Sequence, residues 1–159
     1  MGLTSFLFRS LSTSELKIFN EAVAPLQGTL TATGGIKTAG IINDNIPAYI
    51  NTEPMVGTAK LLIADWDGAY YIHQWFVENV QDGMDDCGYY EVSYEELETL
   101  LEVLEAVNKD NAKELLPNLI TEEYDEDYWE SIKNMKELAR YLLNNFDWGG
   151  CSLLYSSSW

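Results

Sequence analysis

The sequence predicts an α+β fold in one domain spanning residues 1–159: a small antiparallel sheet, drawn mostly from N-terminal strands and covered by about three helices. Three observations predict it. Residues 1–63 are rich in Thr, Gly and Ile, carry few charges, and break into short runs at Gly and Pro, the pattern of strands. From residue 64 onward the apolar residues recur at intervals of three and four, the pattern of helices. The chain is 47% hydrophobic and 13% aromatic over 159 residues, enough to bury a core.

In the first half, LTSFLF reads as a strand. STSELKIFNEAV reads as one short helix, capped by Ser12 or Ser14 and closed by Pro25. GTLTATGG and IKTAGII are strand candidates joined by a turn at Gly34-Gly35. IPAYI is confined to an edge or a loop by Pro47 and Pro54, because proline gives no ladder hydrogen bond. GTAKLLIA leads out of this half.

In the second half, Asp65 is positioned to cap a helix through WDGAYYIHQWFVENVQ. That helix would bury Ala69, Ile72, His73, Phe76, Val77 and Val80 and end at Gly83. DGMDDCG is a loop and YYEV a short strand. SYEE is a capping box, with Ser93 as cap and Glu96 in third position. The helix behind it buries Leu97, Leu100, Leu101, Leu104 and Val107. NAKELL is a shorter helical piece that stops before Pro117. The last helix runs from about Asp125 to Asn145 and buries Ile132, Met135, Leu138, Ala139, Leu142 and Phe146. Gly149-Gly150 end it, and CSLLYSSSW is a final strand candidate.

Charge divides the same two halves. The formal net charge is −17, from 9 basic and 26 acidic residues. Up to residue 60, Arg9, Lys17, Lys37 and Lys60 balance Glu15, Glu21, Asp44 and Glu53. The remaining 22 acidic residues face only Lys109, Lys113, Lys133, Lys136 and Arg140. Such a field repels nucleic acid and anionic membrane and attracts basic protein surfaces. No run of 18 apolar residues is present, and MGLTSFLFRS has neither a basic leader nor the Ser or Thr at position 6 that myristoylation wants. Two cysteines, Cys87 and Cys151, are too few for a disulfide framework, so a reduced, cytoplasmic protein is expected.

The chemistry-bearing constellations are weak. Cys87 and His73 are close enough in sequence to form a thiolate–imidazole pair, but the acidic neighbours of Cys87 oppose a thiolate. DGMDDCG lacks the alternating ligands and the glycine of a calcium loop. The acidic residues of TEEYDEDYWE sit at a helix start, where the dipole favours them. No phosphate loop, G-x-S-x-G, H-E-x-x-H or C-x-x-C is present, and no catalytic residue, metal or cofactor is expected. One feature is unusual. Glu95, Glu98, Glu102 and Glu105 form a single stripe opposite the leucines of their helix, about 15 Å long at 1.5 Å per residue. No lysine interleaves with it, and the Glu98–Glu102 pair costs a few tenths of a kcal/mol, roughly.

The segment IHQWFVENVQDGMDDCGYYEVSYEELETLLEV resembles a family of small uncharacterised proteins encoded by phages and prophages. The shared pattern falls on Trp66, Ala69, Ile72, His73, Trp75, Phe76, Val77, Asn79, Val80, Gln81, Gly83, Asp85, Cys87, Gly88, Tyr90, Val92 and Ser93. The MGL start, ELLP at 114–117, the YDEDYWE-like helix start and the YSSSW end add to it. The resemblance covers residues 61–159 well and 10–60 poorly. It implies a phage origin and no established activity. With the charge, it leads to the expectation of a protein-binding inhibitor of a host nucleic-acid-handling or defence protein, of the anti-CRISPR or anti-restriction type. Its partner would have a basic surface and meet Glu95, Glu98, Glu102 and Glu105. Two alternatives stand beside it. One is a sponge for a nucleotide signal, with His73, Trp75, Asn79 and Gln81 lining a pocket and Arg9, Lys37 or Lys60 meeting the phosphate. The other is a Cys/His enzyme.

Overall fold

A computed structural model of the protein describes residues 2–11, 15, 48–49 and 60–159. The helix expected over STSELKIFNEAV and the hairpin at Gly34-Gly35 lie outside these residues, Glu15 excepted. The order is β1 (Thr4–Ser10), β2 (Ala48–Tyr49), β3 (Lys60–Asp67), α1 (Tyr70–Asn79), β4 (Tyr90–Val92), α2 (Tyr94–Ala106), α3 (Ala112–Leu115), α4 (Glu126–Asn145) and β5 (Leu153–Ser158). The fold is a small α+β fold. Its strands form one sheet in the order β2-β3-β1-β5-β4, every neighbouring pair antiparallel.

The final strand is the structural surprise. β5 inserts between β1 and β4, pairing Thr4 with Ser158 and Val92 with Leu153, so both ends of the chain meet inside the sheet. Alternation explains the side it buries: Leu153 and Tyr155 are fully buried and face the helices beside Leu7 of β1 and Val92 of β4. Among the described residues, β2 is an edge strand that pairs with β3, the place Pro47 and Pro54 leave for it.

The helix start expected at Asp65 is corrected. Asp65, Trp66 and Asp67 belong to β3, where they pair with Phe6, Ser5 and Thr4, and Thr4 Oγ1 donates to Asp67 Oδ1 at 2.6 Å. Cross-strand pairing overrides the local capping signal. The chain turns instead at Gly68 and Ala69, both with positive φ, and the Gly68 N–H donates to the Leu3 carbonyl at 2.8 Å. Helix α1 therefore begins at Tyr70. It ends at Asn79 rather than at Gly83, and Gly83 (φ 79°) takes the left-handed place in the turn that follows.

The other two long helices start where their caps predict. Ser93 Oγ accepts from the Glu96 N–H, and Glu96 Oε2 accepts from the Ser93 N–H. Asp125 accepts from the Tyr128 N–H. Helix α2 buries Leu97, Leu100 and Leu104 completely, against Ile132, Met135, Ala139 and Leu142 of α4. Leu101 and Leu138 are only partly buried at the margin of this seam. Tyr94, at the start of α2, meets Trp148, just past the end of α4, edge to face at 5.5 Å, so the two helices run antiparallel. Among the described residues, no helix is long and apolar enough to cross a membrane.

Candidate functional site

The apolar seam of α2 dictates where its carboxylates go. With Leu97, Leu100 and Leu104 turned onto α4, the helical period turns Glu95, Glu98, Glu102 and Glu105 outward, and all four are exposed. Glu96 is diverted to the cap and does not join them. Glu105 is neutralised: it accepts from Arg140 of α4 through Nε at 3.2 Å and Nη2 at 2.8 Å. Both partners are about half exposed, at 50% and 48%, so the pair contributes on the order of 1 kcal/mol or less. Glu95, Glu98 and Glu102 form no ion pair among the described residues. Their charge is thus directed to solvent, and the stripe is three open carboxylates ending at a satisfied fourth.

The second place of interest surrounds the sole histidine. His73 lies on α1 and is 4% exposed. Its Nδ1 is 2.7 Å from Tyr155 Oη, and Tyr155 Oη is 3.1 Å from Ser5 Oγ. Phe76, one turn along α1, stacks on the Tyr155 ring at 4.0 Å with an interplanar angle of 5°. Burial raises the pKa of Tyr155, and the Asp85 charge adds to the rise, so the group remains a neutral phenol at physiological pH. On the other side of the ring, Nε2 is 3.1 Å from Asp85 Oδ2. That contact lies within ion-pair reach but outside hydrogen-bond alignment, and Nε2 is a buried atom without an aligned partner. Asp85 Oδ1 in turn accepts from Trp159 Nε1 at 3.0 Å. The chain Ser5–Tyr155–His73–Asp85–Trp159 ties β1, β5, α1 and the 82–88 loop together.

That loop is shaped by its own residues. Asp82 and Cys87 take positive φ beside Gly83, and Asp86 Oδ1 accepts from both the Gly88 N–H (2.9 Å) and Tyr90 Oη (3.0 Å). A side chain at Gly88 would collide with Asp86 at 2.8 Å. Asp86 is therefore engaged in turn geometry and Asp85 in contacts with His73 and Trp159, and no group of three or more potential metal ligands occurs among the described residues. Cys87 gains no base from His73, whose two nitrogens face Tyr155 and Asp85.

The four residues of the alternative nucleotide pocket are not brought together. Trp75 is buried edge-on against Phe76 at 5.4 Å. Asn79 is exposed and bonds back to the Trp75 carbonyl at 2.8 Å. Gln81 is buried and holds the loop by donating to the Met84 carbonyl at 2.7 Å. His73 lines a cavity of about 280 Å³ that it shares with Leu3, Asp85, Leu119, Ile120 and Trp159 among others, and Trp75, Asn79 and Gln81 are not among its lining residues. Of the cations proposed for a phosphate, Arg9 is held by Glu15 at 2.6 Å and Lys60 lies over the Tyr89 ring at 3.4 Å. Lys37 lies outside the described residues. No local sequence pattern assembles the cavity, because its lining comes from Leu3 just ahead of β1, from α1, the 82–88 loop, the 117–120 segment and Trp159. Its one sequence signal is the adjacent Leu119-Ile120 following Pro117, two large apolar residues outside any helical period.

Compared with protein-family models, curated proteins and solved structures, the chain matches none.

These contacts make a specific prediction for His73. Its ring is a buried tether, so His73→Ala is expected to lower unfolding free energy by about 1–3 kcal/mol, the cost of disrupting a buried hydrogen-bonded group. Urea denaturation measures it. An unchanged midpoint would mean that the Tyr155 contact contributes nothing.

Proposed function

We propose that this is a phage accessory protein that acts in the host cytoplasm by binding, through the exposed carboxylates of α2, a host protein with a basic surface. The host protein is one that handles nucleic acid or defends against it, so that occupation of its basic surface inhibits it in the manner of an anti-CRISPR or anti-restriction factor. The observation that carries the reading is the disposition of Glu95, Glu98 and Glu102. They are exposed, aligned on one rigid helix, and without ion-pair partners among the described residues. A net charge of −17 located in residues 61–159 extends their field beyond contact range. The resemblance of the same half to phage-encoded proteins supports the setting.

Two baits test the proposal, the wild-type chain and Glu98→Lys/Glu102→Lys, each incubated with host lysate. The reading expects a nucleic-acid-handling protein that wild type retains and the reversed bait releases. Identical captures from the two baits would remove α2 from recognition.

A further inference from the structure

We infer that the cavity beside His73 is a socket for one basic side chain of the protein partner, an Arg or Lys with an apolar residue next to it. The inference rests on the reading that this chain works by binding a basic protein, and it places the anchoring contact away from α2, none of whose residues lines the cavity. Three features converge there. The first is the apolar rim. Leu119, Ile120 and Trp159 are 69%, 63% and 54% exposed, and with buried Leu3 they border a cavity of about 280 Å³. Large apolar side chains grouped at a concave site mark places where protein surface is removed from water on binding.

The second is Asp85. Its carboxylate faces the same cavity and remains 43% exposed. A carboxylate has about four acceptor positions. Trp159 Nε1 takes one, and the His73 contact engages the other oxygen. The carboxylate is therefore fixed in place with acceptor capacity left for an incoming ammonium or guanidinium. The third is His73, nine-tenths buried, which lines the cavity and whose Nε2 is a buried atom without an aligned hydrogen-bond partner. It backs Asp85 and keeps the floor polar.

Charge complementarity selects the occupant. Asp82 and Asp86 flank Asp85, and the half that builds the cavity holds the whole acidic excess, so anionic groups are repelled. A guanidinium or ammonium placed on Asp85 would lay its aliphatic stem along Trp159. The neighbouring apolar residue would then cover Leu119 and Ile120. A nucleotide bound there would bring its phosphates into the field of Asp82, Asp85 and Asp86.

His73 is the chain's sole histidine, so its ring signals in a ¹⁵N-labelled full-length protein are unique reporters, and the Trp159 indole N–H is a second. The probes are acetyl-Leu-Arg-amide, acetyl-Leu-Glu-amide and hexylammonium, titrated into wild type and Asp85→Asn. The expected result is saturable movement of both reporters with the Arg peptide and none with the Glu peptide. Affinity for the Arg peptide should fall at least tenfold in Asp85→Asn, which keeps the shape of the side chain. No saturable shift with the Arg peptide, or equal binding in Asp85→Asn, overturns the socket. Hexylammonium binding more tightly than the Arg peptide overturns the protein occupant in favour of a small amine. The titrations read the cavity alone, so the socket and the α2 stripe fail or stand separately.

Discussion

Tyr155→Ala is expected to lower the unfolding free energy by about 3–5 kcal/mol, the range for truncating a large buried aromatic. The residue is fully buried in β5, a strand inside the sheet, and its ring stacks on Phe76 while its hydroxyl holds His73 and Ser5. Truncation removes the ring packing and both polar contacts and opens a cavity between the sheet and α1. Against a typical total of about 5–15 kcal/mol, this change approaches global unfolding. Tyr155→Phe separates the two contributions. It keeps the ring on Phe76 and leaves His73 Nδ1 without its partner, so a smaller loss of about 1–3 kcal/mol is expected. Urea denaturation of the three proteins, with the slope held common, gives the comparison. An alanine variant within about 0.5 kcal/mol of wild type, the range of a surface substitution, would show that β5 does not close the core.

The sequence disclosed the elements governed by local chemistry. Ser93 with Glu96, and Asp125 with its acidic first turn, mark helix starts that the structure reproduces, because capping hydrogen bonds span only three residues. The outward stripe of α2 was equally legible, since the same period that buries Leu97, Leu100 and Leu104 exposes the glutamates. Long-range pairing hid the rest. Asp65 carries a capping side chain, yet its backbone is claimed by Phe6, nearly sixty residues away in the chain. The insertion of β5 between β1 and β4 follows from hydrogen bonding among distant strands, and SLLYSSS alone does not specify a neighbour. The His73 cavity was hidden for the same reason. Asp85 and Trp159 meet only because β5 delivers the C-terminus to the 82–88 loop.

The largest functional effect is expected from Glu98→Lys with Glu102→Lys. The pair removes two of the three open carboxylates of α2 and replaces them with cations, a local change of four charges. Steering fields of this kind raise association rates by about 10–10³-fold, so a loss of roughly tenfold at low salt is expected. The fold should persist, because both residues are exposed and the buried seam is untouched. The Glu98–Glu102 like-charge pair becomes a Lys–Lys pair at the same spacing, so that pair changes stability little. Salt separates steering from contact loss, since the Debye length falls from about 10 Å at 0.1 M to about 3 Å at 1 M. The decisive measurement is the association rate of wild type and the double variant with the host protein retained by the wild-type bait, across that salt range. Wild type should associate faster at low salt and show a steeper salt slope, and the two rates should converge at 1 M. Equal rates and equal slopes throughout would contradict the steering role and leave the α2 carboxylates as a solvated face.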